Sequence, residues 1–282
     1  MSAKGDNTYF DECKPLKYGV EIFGCDLNSP STDGLKERIV RDLHRHRLLV
    51  FRGQDAISGD RQAQIARWFG DIDNVTFEKH SKSPNAEIFR VSNDPEEGCT
   101  GVGRSGWHID GTFRPEPYAV SVYYMARVPT RGDTRFLGMR ELLDSVPSTT
   151  RRRWSELWMC SDRRELVRHP LTYRHPETGV DTMCFHLGMT AGFAERRGDS
   201  WTLTSDEETR DTFRELNDAI HEPSSDLIYS HRWREGDFVL SDNLAMAHEA
   251  SEQTQWDRSQ VGLRVLHRCT VKGKHRPADF KS

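Results

Sequence analysis

The sequence predicts an α+β protein with a barrel-like β centre, and three observations carry that expectation. Helical periodicity is concentrated near the front of the chain. The second half consists of short apolar runs broken by Gly, Pro and Asp, the texture of a sheet sandwich or barrel. One well-capped helix interrupts those runs. In order, residues 1–14 are polar and are expected to form a loose leader. Tyr18-Gly19-Val20-Glu21-Ile22-Phe23-Gly24 alternates like a strand that ends in a turn. Leu35, Ile39 and Leu43 recur at helical spacing, and Arg47-Leu48-Leu49-Val50-Phe51 then has the pattern of a buried strand. Residues 58–69 form a second helical pattern, closed by Gly70 in the C′ position. Glu87-Ile88-Phe89-Arg90-Val91, Ala119-Val120-Ser121-Val122-Tyr123-Tyr124, Asp237-Phe238-Val239-Leu240 and Leu263-Arg264-Val265-Leu266-His267-Arg268 are β-runs. The inserted helix opens with the capping box Ser205-Asp206-Glu207-Glu208 and buries Phe213, Leu216 and Ile220. No repeat, low-complexity tract or long linker divides the chain, so one domain is expected over residues 1–282.

Composition narrows the function. Hydrophobic residues at 35% and aromatic residues at 10% are enough for a folded core. A net charge of −4 disfavours a broadly basic nucleic-acid binder. No apolar run approaches the roughly 18 residues of a membrane span, and residues 1–14 lack the apolar stretch of a secretory signal. The six cysteines stand singly without a CxxC pair, the usage of free thiols and core fillers in a reducing compartment. A cytoplasmic location follows as the expectation.

The chemistry begins at His108-Ile109-Asp110. In a strand, residues i and i+2 share a face, so imidazole and carboxylate could grip one divalent metal together. A single His-x-Asp triplet is what chance provides in a chain with 12 His, so context must support it. The triplet follows Gly106-Trp107 and precedes Gly111-Thr112-Phe113, where a strand meets a loop. A third ligand has to come from a distant strand, and His248, beyond the run Phe238-Val239-Leu240, is the candidate. The other histidines have ordinary readings: His44 and His46 at a basic helix end, His221 closing the inserted helix, His175 in the turn His175-Pro176-Glu177-Thr178-Gly179. Arg264 and Arg268 share one strand face by alternation. An arginine aimed into a β core is costly unless it meets an anion, so a carboxylate-bearing ligand is a candidate beside a solvent-facing edge.

Taken together the chain resembles the taurine dioxygenase (TauD/TfdA) family of iron(II)- and 2-oxoglutarate-dependent oxygenases, over roughly residues 18–270. Ordered blocks carry the resemblance. They are Gly19-Val20-Glu21-Ile22; Leu43-His44-Arg45-His46-Arg47-Leu48-Leu49-Val50-Phe51-Arg52-Gly53-Gln54; Trp107-His108-Ile109-Asp110-Gly111-Thr112-Phe113; and Gly132-Asp133-Thr134-Arg135-Phe136. Then follow His169-Pro170-Leu171 with His175-Pro176-Glu177-Thr178-Gly179, His231-Arg232-Trp233 with Gly236-Asp237, Asp242-Asn243 ahead of His248, and His267-Arg268 after Arg264.

The resemblance implies a double-stranded β-helix (a jelly-roll, cupin-like core) with buttressing helices. It implies that His108, Asp110 and His248 hold Fe(II), and that Thr134 and Arg264 hold the far carboxylate of 2-oxoglutarate. Arg268 matches the position that grips the anionic end of the substrate in the taurine enzyme. The implied reaction consumes O2 and 2-oxoglutarate, releases succinate and CO2, and oxidises a C–H bond of a small anionic substrate. Hydroxylation leads; desaturation, cyclisation or oxidative decarboxylation use the same iron chemistry, and a catalytically silent metal/2-oxoglutarate sensor is the reading from another class. Asp110 argues against halogenation, which vacates that ligand for chloride. Asp71-Ile72-Asp73-Asn74-Val75-Thr76 lacks the histidine that helps the taurine enzyme bind sulfonate, the nearest being His80, which argues against taurine. Arg104 would suit a second acidic group, with a solvated loop arginine as its ordinary reading. Phe185 and His186 fall where the family lines its pocket, Phe185 being the better candidate for substrate contact, and Trp233 is expected to pack in the core. Ser241 and Leu244 replace the usual Trp and Arg around Asp242-Asn243. A homo-oligomer is compatible with the resemblance, though no apolar stripe declares an interface.

Overall fold

Alternation within the β-runs decides the architecture, because successive strand side chains point to opposite faces. The computed structural model describes residues 10–73, 79–162, 167–198 and 200–281. The front of the chain supplies β1 (Glu12–Pro15), β2 (Val20–Phe23), helix α1 (Asp33–His46), β3 (Leu48–Phe51), helix α2 (Gly59–Ala66) and β4 (Phe89–Ser92). The middle supplies β5 (Val120–Arg127), β6 (Thr134–Gly138), helices α3 (Met139–Ser145) and α4 (Ser148–Glu156), β7 (Leu157–Ser161), β8 (Arg168–Pro170), β9 (Thr172–Arg174) and β10 (Asp181–Met183). After these come β11 (Thr190–Arg197), β12 (Ser200–Leu203), helix α5 (Asp206–His221), β13 (Ile228–His231), β14 (Phe238–Asp242), β15 (Met246–Ala250), the short helix α6 (Arg258–Val261) and β16 (Val265–Val271).

Seven strands form the largest sheet, in the order β1-β2-β3-β14-β5-β16-β4, antiparallel except for the parallel pair β2–β3. A three-stranded sheet has the order β13-β6-β15, and a four-stranded sheet the order β12-β11-β7-β8. Along the large sheet, Leu49, Phe51, Val122, Tyr124, Phe238 and Leu240 pack beneath α1 and α2, whose Ile39, Leu43, Ala63 and Ile65 complete that cluster. The alternate residues Leu48, Val50, Tyr123, Met125, Val239 and Leu266 meet Phe136 of β6 and Met246 of β15. The next residues of those strands, Leu137 and Ala247, join a third cluster with Leu142 of α3, Trp154 of α4 and Leu216 of α5. The layers are therefore helices, large sheet, small sheet, helices. Each fully buried Leu, Ile or Phe contributes about 1.5–3 kcal/mol.

Most predicted elements form as expected, and the exceptions have local causes. Residues 12–14, expected in a loose leader, belong instead to the exposed edge strand β1, which pairs with β2, while residues 1–9 lie outside the described residues. Helix α2 ends at Ala66 rather than 69, because Trp68 and Phe69 donate to carbonyls three residues back and tighten the end into turns. Strand β16 starts at Val265 with a register shift at Val265/Leu266, which leaves Arg264 in the preceding loop. Helices α3 and α4 lacked a start signal: their caps, Gly138 and Pro147, make no side-chain cap bond. By contrast Thr32, Ser58 and Ser205 each cap their helix by a side chain. All six cysteines are free thiols, four of them buried. Burial raises the Cys184 thiol well above its ordinary range, so that core cysteine stays protonated and inert. Among the described residues no helix is long and apolar enough to cross a membrane.

Candidate metal centre

The centre is laid out by backbone pairing. His108 exchanges two backbone hydrogen bonds with His248, its N–H donating over 3.2 Å and its carbonyl accepting the return bond over 2.9 Å. On its other side, Ile109 N–H donates to the Phe185 carbonyl and Leu187 N–H to the Trp107 carbonyl, which sets His108 opposite His186. Directly opposed residues share a sheet face, so His248, His108 and His186 stand abreast, with ring centroids 4.5 Å apart at each step. Ile109, Phe185 and Ala247 fill the helix-side core, so the three imidazoles face the space between the sheets. His248 lies mid-strand in β15, and the residue two before it, Met246, faces the same way.

Asp110 is two residues beyond His108 and turns its carboxylate back to the row, with Oδ1 3.8 Å from His108 Nε2 and Oδ2 3.5 Å from His248 Nε2. The backbone turns sharply after it. Gly111 has φ +85°, and a Cβ there would lie 2.7 Å from the Tyr118 nitrogen. Asn243 clamps the Asp110 backbone: its Oδ1 accepts from Asp110 N–H over 2.8 Å, and its Nδ2 donates to the carbonyls of Asp110 and Tyr118 over 3.0 and 2.7 Å. Ser121 Oγ donates to Asp110 Oδ2 over 2.8 Å, and Arg268 donates to Oδ1 over 3.0 Å. Burial alone would raise the carboxyl of Asp110, but the Arg268 guanidinium first, and the Ser121 hydrogen bond with it, hold the group ionised, well below the usual range. Burial conversely lowers both imidazoles, His248 to about 3. His108 Nδ1 lies 2.6 Å from the Gly106 carbonyl, which can only accept, so Nδ1 carries the proton and Nε2 keeps its lone pair. Two neutral imidazoles and one ionised carboxylate on one face are a donor set suited to a divalent first-row metal.

The remaining predicted residues are spread around this centre. Thr134 opens β6, is buried, and its Oγ1 accepts from Trp233 Nε1 over 3.0 Å. Trp233 packs in the inter-sheet core as expected, and its bond to Thr134 was not foreseen. Arg264 is only 3% exposed, and its Nε has no hydrogen-bond partner. Burial, with no neighbouring charge to offset it, pulls its pKa down to about 10. A buried guanidinium without a partner is costly to the fold unless an anion meets it. Arg268 sits at the centre itself, on Asp110. Arg104 is exposed and donates to the Ala250 carbonyl over 2.6 Å, one residue beyond Glu249 on β15. Phe185 departs from its expectation: odd parity turns it into the helix-side core, and His186 takes the inward position beside His108. Of the stretch expected to bear on sulfonate binding, residues 74–76 lie outside the described residues.

Three further residues belong to the site. Ser121 and Tyr123 project inward from β5, and the Tyr123 hydroxyl lies 3.3 Å from His248 Nε2. Asn243 is the third. The polar residues at alternate positions in the run Val120-Ser121-Val122-Tyr123 were the signal for the first two. A second His/Asp group joins His44, His175 and Asp242. His175 Nδ1 accepts the backbone N–H groups of Glu177 and Thr178, so its Nε2 carries the proton and donates to Asp242 over 3.1 Å. His44 Nδ1 meets the other carboxylate oxygen at 2.9 Å. That arrangement binds α1 and the β9–β10 turn to the end of β14, and it offers no imidazole lone pair from His175 to a metal. His44 thus does more than complement a helix dipole.

A family profile described as "Taurine catabolism dioxygenase TauD, TfdA family" matches residues 12–270. Pentalenolactone F synthase of Streptomyces avermitilis is 24% identical over 268 residues, covering 82% of this chain and 84% of that protein. An alpha-ketoglutarate-dependent 2,4-dichlorophenoxyacetate dioxygenase of a Burkholderia species is 26% identical over 271 residues, covering 84% of this chain and 85% of that protein. Among solved structures, a taurine dioxygenase from Burkholderia xenovorans superposes with a TM-score of 0.74 at 22% identity, covering 94% of this chain and 92% of that one. With the match extending over nearly the whole chain, the protein belongs to the TauD/TfdA family of dioxygenases.

Proposed function

We propose that the protein is an Fe(II)- and 2-oxoglutarate-dependent dioxygenase that oxidises, by hydroxylation, a C–H bond of a small anionic molecule. The observation that carries this is the pairing of an inward-facing His/Asp/His donor set with a buried, uncompensated guanidinium at Arg264. His108, Asp110 and His248 would hold the metal in this reading. Iron(II) and 2-oxoglutarate together with O2 supply the oxidising chemistry, with succinate and CO2 released.

The residues of the chain do the positioning. Asn243 and Ser121 hold Asp110 in place. Arg264 offers a desolvated two-pronged donor to a carboxylate, and Thr134 a hydroxyl already oriented by Trp233. Arg268 carries five N–H donors and can serve Asp110 and a substrate anion together. Lys79, half-buried, has its pKa lowered by burial and by Arg268 despite Asp73, so two cations converge where an acidic group would sit. This convergence supports an anionic substrate. The two facing sheets fit a double-stranded β-helix in one catalytic domain, with a cytoplasmic location.

The test is anaerobic titration of Fe(II)-loaded protein with 2-oxoglutarate, following the visible charge-transfer band of the chelate, together with succinate release over a panel of small acids in air. His248→Ala should abolish the band, and Arg264→Ala should demand far more 2-oxoglutarate. A wild-type protein without a band, or without succinate on any acid, would sink the proposal.

A further inference from the structure

We infer that His186 is a hydrogen-bonding residue for 2-oxoglutarate, placed beside the metal ligands without being one of them; this rests on the reading of the metal centre given above. His186 is the third member of the row His248, His108, His186, its ring stacked on that of His108 at 4.5 Å with an interplanar angle of 21°. It is only 4% exposed, and its Nδ1 is fully buried with no hydrogen-bond partner. Leaving a buried polar atom unpaired costs about 1–3 kcal/mol, so such an atom in an inward-facing ring points to a ligand that completes it.

The backbone that carries the ring is fixed beside His108. It is pinned to residues 107–109 on both sides, by Ile109 N–H on the Phe185 carbonyl and Leu187 N–H on the Trp107 carbonyl. The His186 carbonyl itself accepts from Met189 N–H over 3.1 Å and from Thr190 Oγ1 over 2.7 Å. His108 covers one ring face. The Nδ1 edge of a ring stacked on His108 lies beside the His/Asp/His group and is closed to bulk water, so a molecule bound at that group is the partner it could meet. Of the molecules that visit this centre, 2-oxoglutarate brings the carboxylate and keto oxygens that a neutral imidazole can bond, and it is bound before substrate is oxidised. Phe185, one residue earlier, faces the opposite core and could not substitute for it.

The test uses the full chain loaded with Mn(II), which is stable in air and does not turn over. Mn(II) affinity is read by the electron paramagnetic resonance of the free ion, and 2-oxoglutarate affinity by calorimetry on the Mn(II)-loaded protein. His186→Phe keeps the stack and removes the polar edge; Mn(II) affinity should stay within about twofold, while 2-oxoglutarate affinity falls about tenfold, the value of one hydrogen bond. His186→Asn returns a polar atom at the Nδ1 position and should recover most of that loss. The inference is overturned if His186→Phe leaves 2-oxoglutarate affinity unchanged, if His186→Asn is no better than His186→Phe, or if Mn(II) affinity falls in step, which would make His186 a mere buttress of His108. His248→Ala separates the two levels: if it leaves Mn(II) binding intact, the metal centre itself has been misassigned.

Discussion

Arg264→Met separates what this guanidinium does for the fold from what it does for the cosubstrate, because the two effects have opposite signs. Arg264 is 3% exposed, and no ion pair or hydrogen bond reaches its guanidinium among the described residues. Burial alone pulls its pKa from the ordinary arginine range down to about 10. At 1.36 kcal/mol per unit, this places about 3 kcal/mol of unfavourable charge burial in the ligand-free fold. Because the folded-state pKa is the lower one, that penalty is present in full at every pH below about 10. Met keeps most of the apolar stem and removes the charge. Allowing about 1–2 kcal/mol for lost packing, the ligand-free variant should be more stable by about 1–2 kcal/mol, a rise of roughly 2–4 °C in melting temperature. Binding should move the other way. Losing a desolvated, two-pronged charged contact should weaken 2-oxoglutarate by roughly 100-fold on Mn(II)-loaded protein, about 2.7 kcal/mol. Thermal melting with and without 2-oxoglutarate measures both at once: wild type starts lower and gains more from the ligand. A variant that melts lower and binds 2-oxoglutarate as well as wild type would refute the reasoning, since Arg264 would then be a stabilising residue with partners of its own.

Other consequences follow from named contacts. Asn243→Ala strips three buried partners, the N–H and carbonyl of Asp110 and the carbonyl of Tyr118; we expect a loss of about 2–4 kcal/mol in urea denaturation and at least a tenfold weaker Mn(II) affinity. The His44 pKa is raised: burial acts to lower it, but the hydrogen bond and charge of Asp242 prevail. A raised folded-state pKa gives stability that is complete below the unfolded value of about 6.5 and disappears as pH rises through the folded value. The stability gap between wild type and His44→Gln should therefore be larger at pH 6 than at pH 9, and a gap that grows with pH would contradict the assignment. Phe136 is fully buried between the two sheets, so Phe136→Ala should cost about 3–5 kcal/mol in the same assay.

The parts of the fold that the sequence made legible are those with a local physical signature. The capping box at Ser205 announced α5, and the spacing of Leu35, Ile39 and Leu43 announced α1. Helices α3 and α4 begin without a side-chain cap and stayed hidden. At the site, His108 and Asp110 were legible because the i, i+2 rule operates within three residues. His248 needed a distant strand and was singled out by its place after a β-run and by the resemblance. The Asn243 clamp was not legible, because its partners are backbone groups of Asp110 and Tyr118 more than 120 residues away, contacts that carry no side-chain pattern.

Phe185 and His186 show why parity is the controlling variable. Both lie in one segment, one residue apart, and a one-residue difference on a paired segment moves a side chain from one face to the other. The partner register decides which of them enters the site: Ile109 donates to the Phe185 carbonyl, so Phe185 joins Ile109 in the helix-side core and His186 joins His108 inside. The same alternation sets Ser121 and Tyr123 inward from β5 while Val122 and Tyr124 pack under the front helices. It sets Leu266 and Arg268 inward from β16 while Cys269 and Val271 face out. The His/Asp/His group and the inter-sheet core thus draw on one set of inward positions. An apolar residue at such a position builds the core, and a polar one has to find a ligand or a partner there. His186 Nδ1 is one such inward polar atom that the protein leaves without a partner, and Arg264 Nε, in the loop before β16, is another buried one.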